Sequence, residues 1–350
     1  MIQYIGLRAT DRQVTEIPRV FDEPLVQNIY DVAVNTLKKC MHEHYEDCPW
    51  REQAMYTLDS RNQMLCGYYA FEGSEYQKEN LLFTAKGLRE DGLLSLNFPG
   101  GIDIPIPFFS PVYLMQVYDY VNFTGDKEVL SGVRPVIERI METLEQRMDS
   151  EDGLIPNFPY PYWNFYEWAE ASDNEPEIRR TAEDPYIKQY DLILNCMYVY
   201  VCGLYEKLYG VKRNVEHILS AIHQTFYQPE QGLYKLSTNG EHYSQLGNAF
   251  AILVGLGTEE LAERIVKDEN LIPVTLSMNT FYYDALLQFG DTYTEFILQD
   301  MKQKYGAMLE QGATTFWETE DVLSRGTGAG SLCHGWSAIP VYYLVKLLKM

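Results

Sequence analysis

The sequence predicts an all-α fold that can close into a toroid of six helical hairpins, an (α/α)6 arrangement. Helical periodicity begins after residue 20 and continues almost to the end of the chain. Mostly short links join the helical segments, and such links force consecutive helices to lie antiparallel. No tight sequence repeat is evident, which argues against a regular solenoid. The expected helices cover residues 24–44, 50–71, 75–90, 109–124, 126–148, 185–209, 214–227, 243–256, 258–267, 277–289, 291–305 and 332–349.

Local signals support the order of these elements. Residues 1–18 alternate in polarity and are rich in β-branched side chains, which predicts a strand. We therefore expect a strand segment over residues 1–20 and the helical domain over residues 21–350. Turn and cap residues separate the helices, as where Gly257 ends one helix and Thr258 can cap the next.

Composition restricts the ligands that this chain can bind. The formal net charge is −22, and a surface this acidic repels nucleic acids and anionic membranes. A neutral substrate does not feel this repulsion. The chain also contains 28 Tyr, 15 Phe and 5 Trp, whose rings stack on the C–H faces of sugars but also fill half-buried helix faces. We expect a carbohydrate ligand and neither a nucleic acid nor a membrane partner.

Cysteine and histidine usage indicates the compartment and argues against a metal. The six Cys form no CxxC pair and lie largely in apolar helical runs, which is typical of a disulfide-free cytoplasmic protein. Arg8 and Arg12 interrupt any apolar run at the start, so no signal peptide is expected. The six His are scattered, so we expect no metal site and no cofactor.

Three long connections are candidates for the functional loops. They cover residues 94–110, 153–184 and 311–331, and they are too rich in Trp, Phe and Pro for solvated linkers. Long loops in a compact domain are usually functional or disordered. We expect them on one rim of the toroid, around a pocket.

The densest set of polar residues begins at Asp47. Asp47 precedes a proline that suits a first helical turn. One interpretation is therefore that Asp47 has only a structural role, as an N-cap. Glu52 and Asp59 are seven residues apart, which on one helix places them on the same face. Arg51 can pair with Asp47 or with a ligand. Buried acids are costly unless paired or used, but a solvated, salt-bridged face is the alternative.

Two further candidates lie near the end of the chain. Glu318 directly follows Trp317, and desolvation by a large aromatic side chain raises the pKa of an acid. The alternative is an ordinary surface Glu beside a buried Trp. His334 stands at the start of the last predicted helix and can be structural or part of a site.

These residues favour one reaction class over others. Glycoside hydrolysis requires two carboxyl groups that flank the bond, and Glu52 and Glu318 lie in separate rim segments. A serine hydrolase would need a GxSxG elbow between strand and helix, and this motif is not present in the sequence. The glycine-rich run at residues 326–330 follows no strand, so it is not a typical phosphate-binding loop.

Three short segments occur in an order that is typical of one enzyme family. Residues 47–52 read Asp-Cys-Pro-Trp-Arg-Glu, residues 314–318 read Thr-Thr-Phe-Trp-Glu, and residues 331–334 read Ser-Leu-Cys-His. They resemble the Asp-Cys-Pro-Gln-Arg, Ala-Thr-Thr-x-Trp-Glu and Ser-Leu-Asn-His segments of the bacterial α-L-rhamnosidases, glycoside hydrolase family 78. Together the motifs extend over nearly the whole chain.

The resemblance implies an (α/α)6 catalytic domain that hydrolyses glycosides with inversion at the anomeric carbon. By position, Glu52 is similar to the family's general acid and Glu318 to its general base. The residues that the resemblance implies for substrate binding are Asp47, Arg51, Asp59, Trp168, Trp317 and His334.

Departures from the family pattern keep other hypotheses open. Residues 55–58 read Met-Tyr-Thr-Leu where the family has Gly-Trp-Thr-Gly, and Gln53 replaces a common second acid. Family members usually carry β-sandwich domains on both sides, so we expect a stripped-down member or an excised domain. Besides a rhamnosidase, the sequence is compatible with a six-hairpin glycosidase for another sugar or an unsaturated uronide, and with a non-catalytic carbohydrate-binding relative.

Overall fold

Helices in two layers make up most of the chain. The computed structural model describes residues 6, 10, 12–100, 104–172, 185–320 and 330–350. Within these residues the helices are α1 Pro24–Lys39, α2 Thr57–Ala70, α3 Glu75–Ala85, α4 Phe109–Thr124, α5 Val129–Arg147, α6 Leu192–Tyr209, α7 Glu216–Phe226, α8 Gln245–Leu253, α9 Glu259–Lys267, α10 Asn279–Leu286, α11 Thr294–Glu310 and α12 Pro340–Leu347. Short 3-10 helices cover Leu276–Met278, Leu287–Tyr293 and Gly335–Ala338, and a small hairpin pairs β1 Tyr227–Gln228 with β2 Leu233–Tyr234.

The even-numbered helices form a closed inner ring. Helix α2 packs on α4, α4 on α6, α6 on α8 and α8 on α10. Helix α12 packs on α2, and it meets α10 where the rings of Tyr283 and Tyr343 lie 5.0 Å apart. Each odd-numbered helix precedes an inner helix in the chain, which gives six helical hairpins. The predicted (α/α)6 toroid is therefore confirmed.

Burial distinguishes the inner helices from the outer ones. Every residue of α2 except Tyr69 is buried, whereas the outer helix α5 buries a single stripe. A helix buried on all sides belongs in the interior, and one apolar stripe is typical of a surface helix. Among the described helices, none is both long and apolar enough to cross a membrane.

Two asparagines at equivalent positions anchor loops to the inner ring. Asn195, in the first turn of α6, accepts a hydrogen bond from the N–H of Ile155 at 2.8 Å and donates to its carbonyl at 3.0 Å. Asn248, in the first turn of α8, does the same with Tyr234 at 2.8 and 3.1 Å. The first of these contacts holds the start of the long aromatic loop that was predicted to line a pocket.

Several helix boundaries differ from the sequence prediction, and one of these differences changes the candidate site. The helix expected from residue 50 begins at Thr57, and residues 50–56 form turns and extended chain. Gln53 has a positive φ of 52°, which interrupts any helix at that point. Glu52 and Asp59 therefore do not share a helical face, and that prediction is wrong.

The N-terminal prediction falls partly on residues outside the described ranges, which here are 1–5, 7–9 and 11. Of the described residues there, Glu16 forms an antiparallel bridge with Phe71, and the N–H of Ile17 donates to the carbonyl of Ala70 at 2.8 Å. The division between residues 1–20 and 21–350 stays a prediction.

A buried ion pair joins two inner helices and should matter for stability. The Nε of Arg61 on α2 donates to Asp119 Oδ2 on α4 at 2.9 Å, and Arg61 is only 3% exposed. We expect Arg61→Met to lower the free energy of unfolding by about 3 kcal/mol, because the Asp119 carboxylate then lacks its countercharge. Urea denaturation at neutral pH measures this change.

The double variant Arg61→Met/Asp119→Leu is the control, since it removes both charges. It should be clearly more stable than the single variant. Equal losses in the two proteins would contradict a stabilising role for the pairing.

Candidate active site

A cavity of about 140 Å³ opens where inner helices α2 and α4 begin. Segments from both ends of the chain and from the long middle loop meet there. Its wall contains acidic side chains on one hand and aromatic and apolar side chains on the other. The lining residues are Asp47, Glu52, Tyr56, Asp59, Ile106, Phe109, Trp163, Phe165, Trp168, Glu318, His334 and Trp336.

Asp47 closes the loop that carries the first acidic residues. Its N–H donates to the carbonyl of Ala54 at 2.9 Å, and its Oδ1 accepts from the N–H of Ala54 at 2.8 Å. Its carbonyl accepts from Gly335 at 2.7 Å, which ties this loop to the C-terminal segment. Asp47 is thus a loop clamp beside the cavity, and the alternative that it is a helix N-cap is wrong.

Gly335 can approach this closely only because it has no side chain. A Cβ at this position would lie 2.1 Å from Nε2 of Gln63. The Gln63 amide is itself held by a hydrogen bond to the carbonyl of Glu46 at 2.9 Å. A substitution at Gly335 would therefore disturb the contact that brings His334 to the cavity.

His334 lies between two buried carboxyl groups. Its Nε2 is 3.9 Å from Asp47 Oδ2, and its Nδ1 is 3.9 Å from Asp59 Oδ1. Neither His334 Nδ1 nor Asp59 Oδ1 has a hydrogen-bond partner in the described part of the chain. Because buried polar atoms are normally paired, these two atoms are available to a ligand.

Burial governs the protonation of these groups. It raises the pKa of Asp47 to about 6 and that of Asp59 well above the usual range, and repulsion by neighbouring carboxylates acts in the same direction. Burial, and then the charge of Arg51, lowers the pKa of His334 to about 3. The imidazole is therefore neutral at physiological pH.

Glu52 reaches the cavity from a turn and is held by Tyr56. The Tyr56 hydroxyl donates to Glu52 Oε2 at 2.5 Å. Burial, followed by this hydrogen bond, raises the pKa of Tyr56, so the phenol keeps its proton and remains the donor. The contact fixes the Glu52 carboxyl group against the cavity wall.

Glu318 is positioned from three directions. Its N–H donates to the carbonyl of Ser331 at 2.9 Å, and the N–H of Ser331 donates to its Oε2 at 2.8 Å. The indole of Trp336 donates to its carbonyl at 3.0 Å. Arg51 Nη1 lies 3.9 Å from Glu318 Oε2, so the cation reaches across from the Asp47 loop. The contacts of Oε2 with the Ser331 N–H and with Arg51 stabilise negative charge on this carboxylate.

An aromatic cluster forms another part of the wall. Trp163, Phe165 and Trp168 pack on one another with centroid distances of 4.9 to 6.0 Å. The N–H of Trp163 donates to the carbonyl of Pro105 at 3.0 Å, which joins two of the long loops. The rings of His334 and Trp336 lie 3.8 Å apart elsewhere on the wall. The expectation that long loops surround a pocket thus agrees with the residues that line it.

The structure brings most of the predicted site residues together. Six of the eight line the cavity, and Arg51 reaches its edge through Glu318. Trp317 is different: among the described residues it is part of the core, 4% exposed, and not of the cavity wall. It supports the site from behind, where its carbonyl accepts from the Ser337 hydroxyl at 2.6 Å.

Several lining residues were not identified from the sequence. The aromatic run at residues 160–168 in a long loop was a signal for Trp163 and Phe165, but no periodicity indicates which rings of a loop face inward. Ile106, Phe109 and Trp336 had no separate signal. In the described ranges, no group of three or more His, Cys, Asp or Glu side chains has an arrangement suited to a metal ion.

Comparison with known families gives a match over nearly the whole chain. Residues 20–348 match the model described as the bacterial alpha-L-rhamnosidase 6 hairpin glycosidase domain. A comparison with curated proteins gives no match.

Solved structures share the fold. The family 78 rhamnosidase of Bacillus sp. GL1 superimposes with a TM-score of 0.81 at 22% identity, over 95% of this chain and 36% of that one. A rhamnosidase from Klebsiella oxytoca with rhamnose bound gives a TM-score of 0.77 at 22% identity, over 98% of this chain and 66% of that one. The family 63 mannosylglycerate hydrolase of Thermus thermophilus gives a TM-score of 0.59 at 14% identity, over 93% of this chain and 100% of that one. This chain thus spans about a third of the length of the Bacillus rhamnosidase and about two thirds of the length of the Klebsiella rhamnosidase.

The raised pKa of Asp47 predicts a pH-dependent cost in stability. The folded chain keeps this proton up to about pH 6, whereas an unfolded Asp loses it near pH 4. The free energy of unfolding should therefore fall as pH rises through this window. Asp47→Asn keeps the acceptor for Ala54 but does not titrate. In this variant the free energy of unfolding should therefore fall by about 1 to 3 kcal/mol less over the same pH range than in the wild type.

Urea denaturation of both proteins at pH 4.5 and pH 7 measures the difference. Parallel pH dependence in the two proteins would show that Asp47 titrates normally.

Proposed function

This chain belongs to the bacterial alpha-L-rhamnosidase six-hairpin glycosidase domain family, as the three sequence motifs indicated, and we propose that it hydrolyses terminal α-L-rhamnosides. The observation that carries this proposal is the presence of two carboxyl groups, Glu52 and Glu318, from separate segments on the wall of one cavity. Glycoside hydrolysis uses such a pair. The Klebsiella relative with rhamnose bound supports the choice of sugar.

The cavity has features that suit one sugar ring. Its volume of about 140 Å³ is below the range of roughly 300–1,000 Å³ that is typical for drug-sized ligands. Asp59 Oδ1 and His334 Nδ1 are buried without partners, and a hydroxyl group can donate to one and accept from the other. The rings of Trp163 and Trp168 offer flat surfaces for the C–H face of a sugar. We assign Asp47, Asp59 and His334 to hydroxyl binding.

Glu52 acts in this proposal as the general acid. It donates its proton to the glycosidic oxygen as the bond to the anomeric carbon breaks. The Tyr56 hydroxyl at 2.5 Å holds one carboxyl oxygen, which leaves the other to face the substrate. A general acid must be within about 2.6–3.2 Å of the oxygen that it protonates, and this contact limits the orientations of the carboxyl group.

Glu318 acts as the general base that removes a proton from the attacking water. Ser331 and Arg51 stabilise its negative charge, which a base requires before the reaction. Arg51 thereby acts through Glu318, in addition to the substrate-binding role that the family resemblance implies for it. In the inverting reaction the water occupies the space between base and anomeric carbon, for which the two carboxyl groups need a separation of about 6.5–9.5 Å.

A second candidate is a six-hairpin glycosidase for a different neutral sugar. The altered segment at residues 55–58 and the fold shared with the mannosylglycerate hydrolase favour it. An unsaturated uronide fits less well, because the negative charge that Glu318 carries as the base would repel its carboxylate. A panel of aryl glycosides separates these candidates by turnover. A non-catalytic relative would bind sugar in calorimetry without releasing product.

The loss of activity on substitution of Glu52 or Glu318 should depend differently on the leaving group of the substrate. Glu318→Gln should lower kcat/KM by about 10²- to 10⁴-fold on both a nitrophenyl α-L-rhamnoside and a rhamnosyl disaccharide. Glu52→Gln should lose as much on the disaccharide but much less on the nitrophenyl substrate, because an acidic leaving group needs little protonation. Steady-state kinetics on both substrates measures the contrast.

Glu43→Gln is the matched control, because Glu43 is an exposed carboxyl group that does not line the cavity. It should retain wild-type rates on both substrates. If Glu318→Gln kept more than a tenth of the activity, Glu318 would not be the base.

Inversion predicts the anomer that is released first. Proton NMR during the first turnovers should show β-L-rhamnose from an α-L-rhamnoside, followed by slow equilibration of the anomers. Initial appearance of the α anomer would mean retention, and Glu318 would then be a nucleophile rather than a base.

A further inference from the structure

Trp50 is a large aromatic side chain that is almost completely exposed. It is 87% exposed, more than any other large apolar residue in the described ranges. Trp is usually well buried, and no aromatic or cationic side chain of the described residues packs on its ring. A single exposed apolar residue is ordinary on a protein surface, so its position must carry any functional argument.

That position is two residues before the proposed general acid. Residues 49–52 form a turn, and Gln53 closes it by donating from Nε2 to the carbonyl of Pro49 at 3.0 Å. Two residues of chain span at most about 7 Å, so the Cα atoms of Trp50 and Glu52 lie within that distance. The hydrogen bonds between Asp47 and Ala54 hold both ends of the loop. The indole is therefore carried on a constrained segment that leads directly into Glu52 on the cavity wall.

The chemistry of the reaction places the leaving group on the side of Glu52. A general acid protonates the glycosidic oxygen, so the first ring of the aglycone is bonded to an atom in hydrogen-bond contact with that carboxyl group. The cavity itself is small and suits the sugar that is cleaved, so the aglycone projects outward. A ring that leaves the cavity beside Glu52 and passes over residues 49–52 would meet the Trp50 indole.

We propose that Trp50 is a specificity-determining residue that stacks on the aglycone and selects leaving groups with a flat, uncharged ring. This inference rests on the proposed function. The occupant is a sugar or aryl ring, since both present a face that stacks on indole.

The local charge restricts the aglycone further. The proposed base Glu318 carries negative charge on the wall of the same cavity, and the chain carries a net charge of −22. The guanidinium of Arg51 faces Glu318 at 3.9 Å, which reduces its capacity to neutralise an anionic aglycone. A neutral second sugar is thus preferred over a uronic acid in the same position.

The test compares two rhamnosides with alcohol leaving groups. One is a rhamnosyl-glucose disaccharide, whose leaving group contains a sugar ring. The other is methyl α-L-rhamnoside, whose leaving group is methanol and offers no ring for stacking. The ratio of their kcat/KM values reports aglycone recognition, because general stability effects cancel. Trp50→Ala and Trp50→Gln should each lower this ratio by about 2- to 10-fold, which corresponds to the loss of one aromatic stacking contact.

Two further variants complete the design. Trp50→Phe keeps a flat ring and should retain most of the preference. Val20→Ala removes apolar surface from another highly exposed residue, one that lines a different cavity, and should leave the ratio unchanged. A rhamnosyl-glucuronic acid substrate should react more slowly than the glucose analogue in the wild-type protein.

The outcomes distinguish this inference from the function on which it rests. If the wild-type protein hydrolyses neither rhamnoside, the proposed function fails and this inference fails with it. If the wild type is active but Trp50→Ala leaves the ratio unchanged, only the role of Trp50 is overturned. A change in sedimentation with an unchanged ratio would also overturn it, because Trp50 would then contact a second copy of the chain.

Discussion

The hydrogen bond from Gly335 to the carbonyl of Asp47 joins the two ends of the chain at the cavity. On one side, Asp47 clamps the loop that carries Arg51 and Glu52. On the other, the segment before Gly335 presents His334 and, through Ser331, positions Glu318. The arrangement of both proposed catalytic carboxyl groups depends on this one junction. Closure of the inner helix ring makes it possible, since α12 returns to pack against α2.

The site concentrates acidic groups where burial makes their ionised form costly. Asp47 and Asp59 are each at most 3% exposed, and the pKa of both is raised. Natural proteins keep such costly groups where function requires them. The partnerless oxygen of Asp59 and the partnerless nitrogen of His334 fit this interpretation, because a bound hydroxyl group would satisfy both. Stability is therefore given up at the same residues that are proposed to hold the sugar.

Sequence and structure agree best where a local pattern has a local consequence. The helical periodicity and short links predicted the hairpins, and the motifs at residues 47–52, 314–318 and 331–334 predicted the segments that meet at the cavity. The agreement is poorest where long-range contacts override local preference. Residues 50–56 look helical by periodicity, but the pairing of Asp47 with Ala54 and the positive φ of Gln53 prevent a helix. Trp317 sits beside Glu318 in sequence, yet its ring packs into the core while the carboxylate faces the cavity.

The sequence by itself determined the order of the α-helices and the segments that carry the carboxyl groups, because periodicity, caps and motifs are properties of neighbouring residues. Tertiary structure alone decided which side chains face one another. Glu52 and Glu318 share a cavity only because the ring closes, and Trp163 and Phe165 line it only because contacts such as Asn195 with Ile155 hold the long loop in place. The exposure of Trp50 is also a tertiary property, since burial depends on what the rest of the chain leaves uncovered.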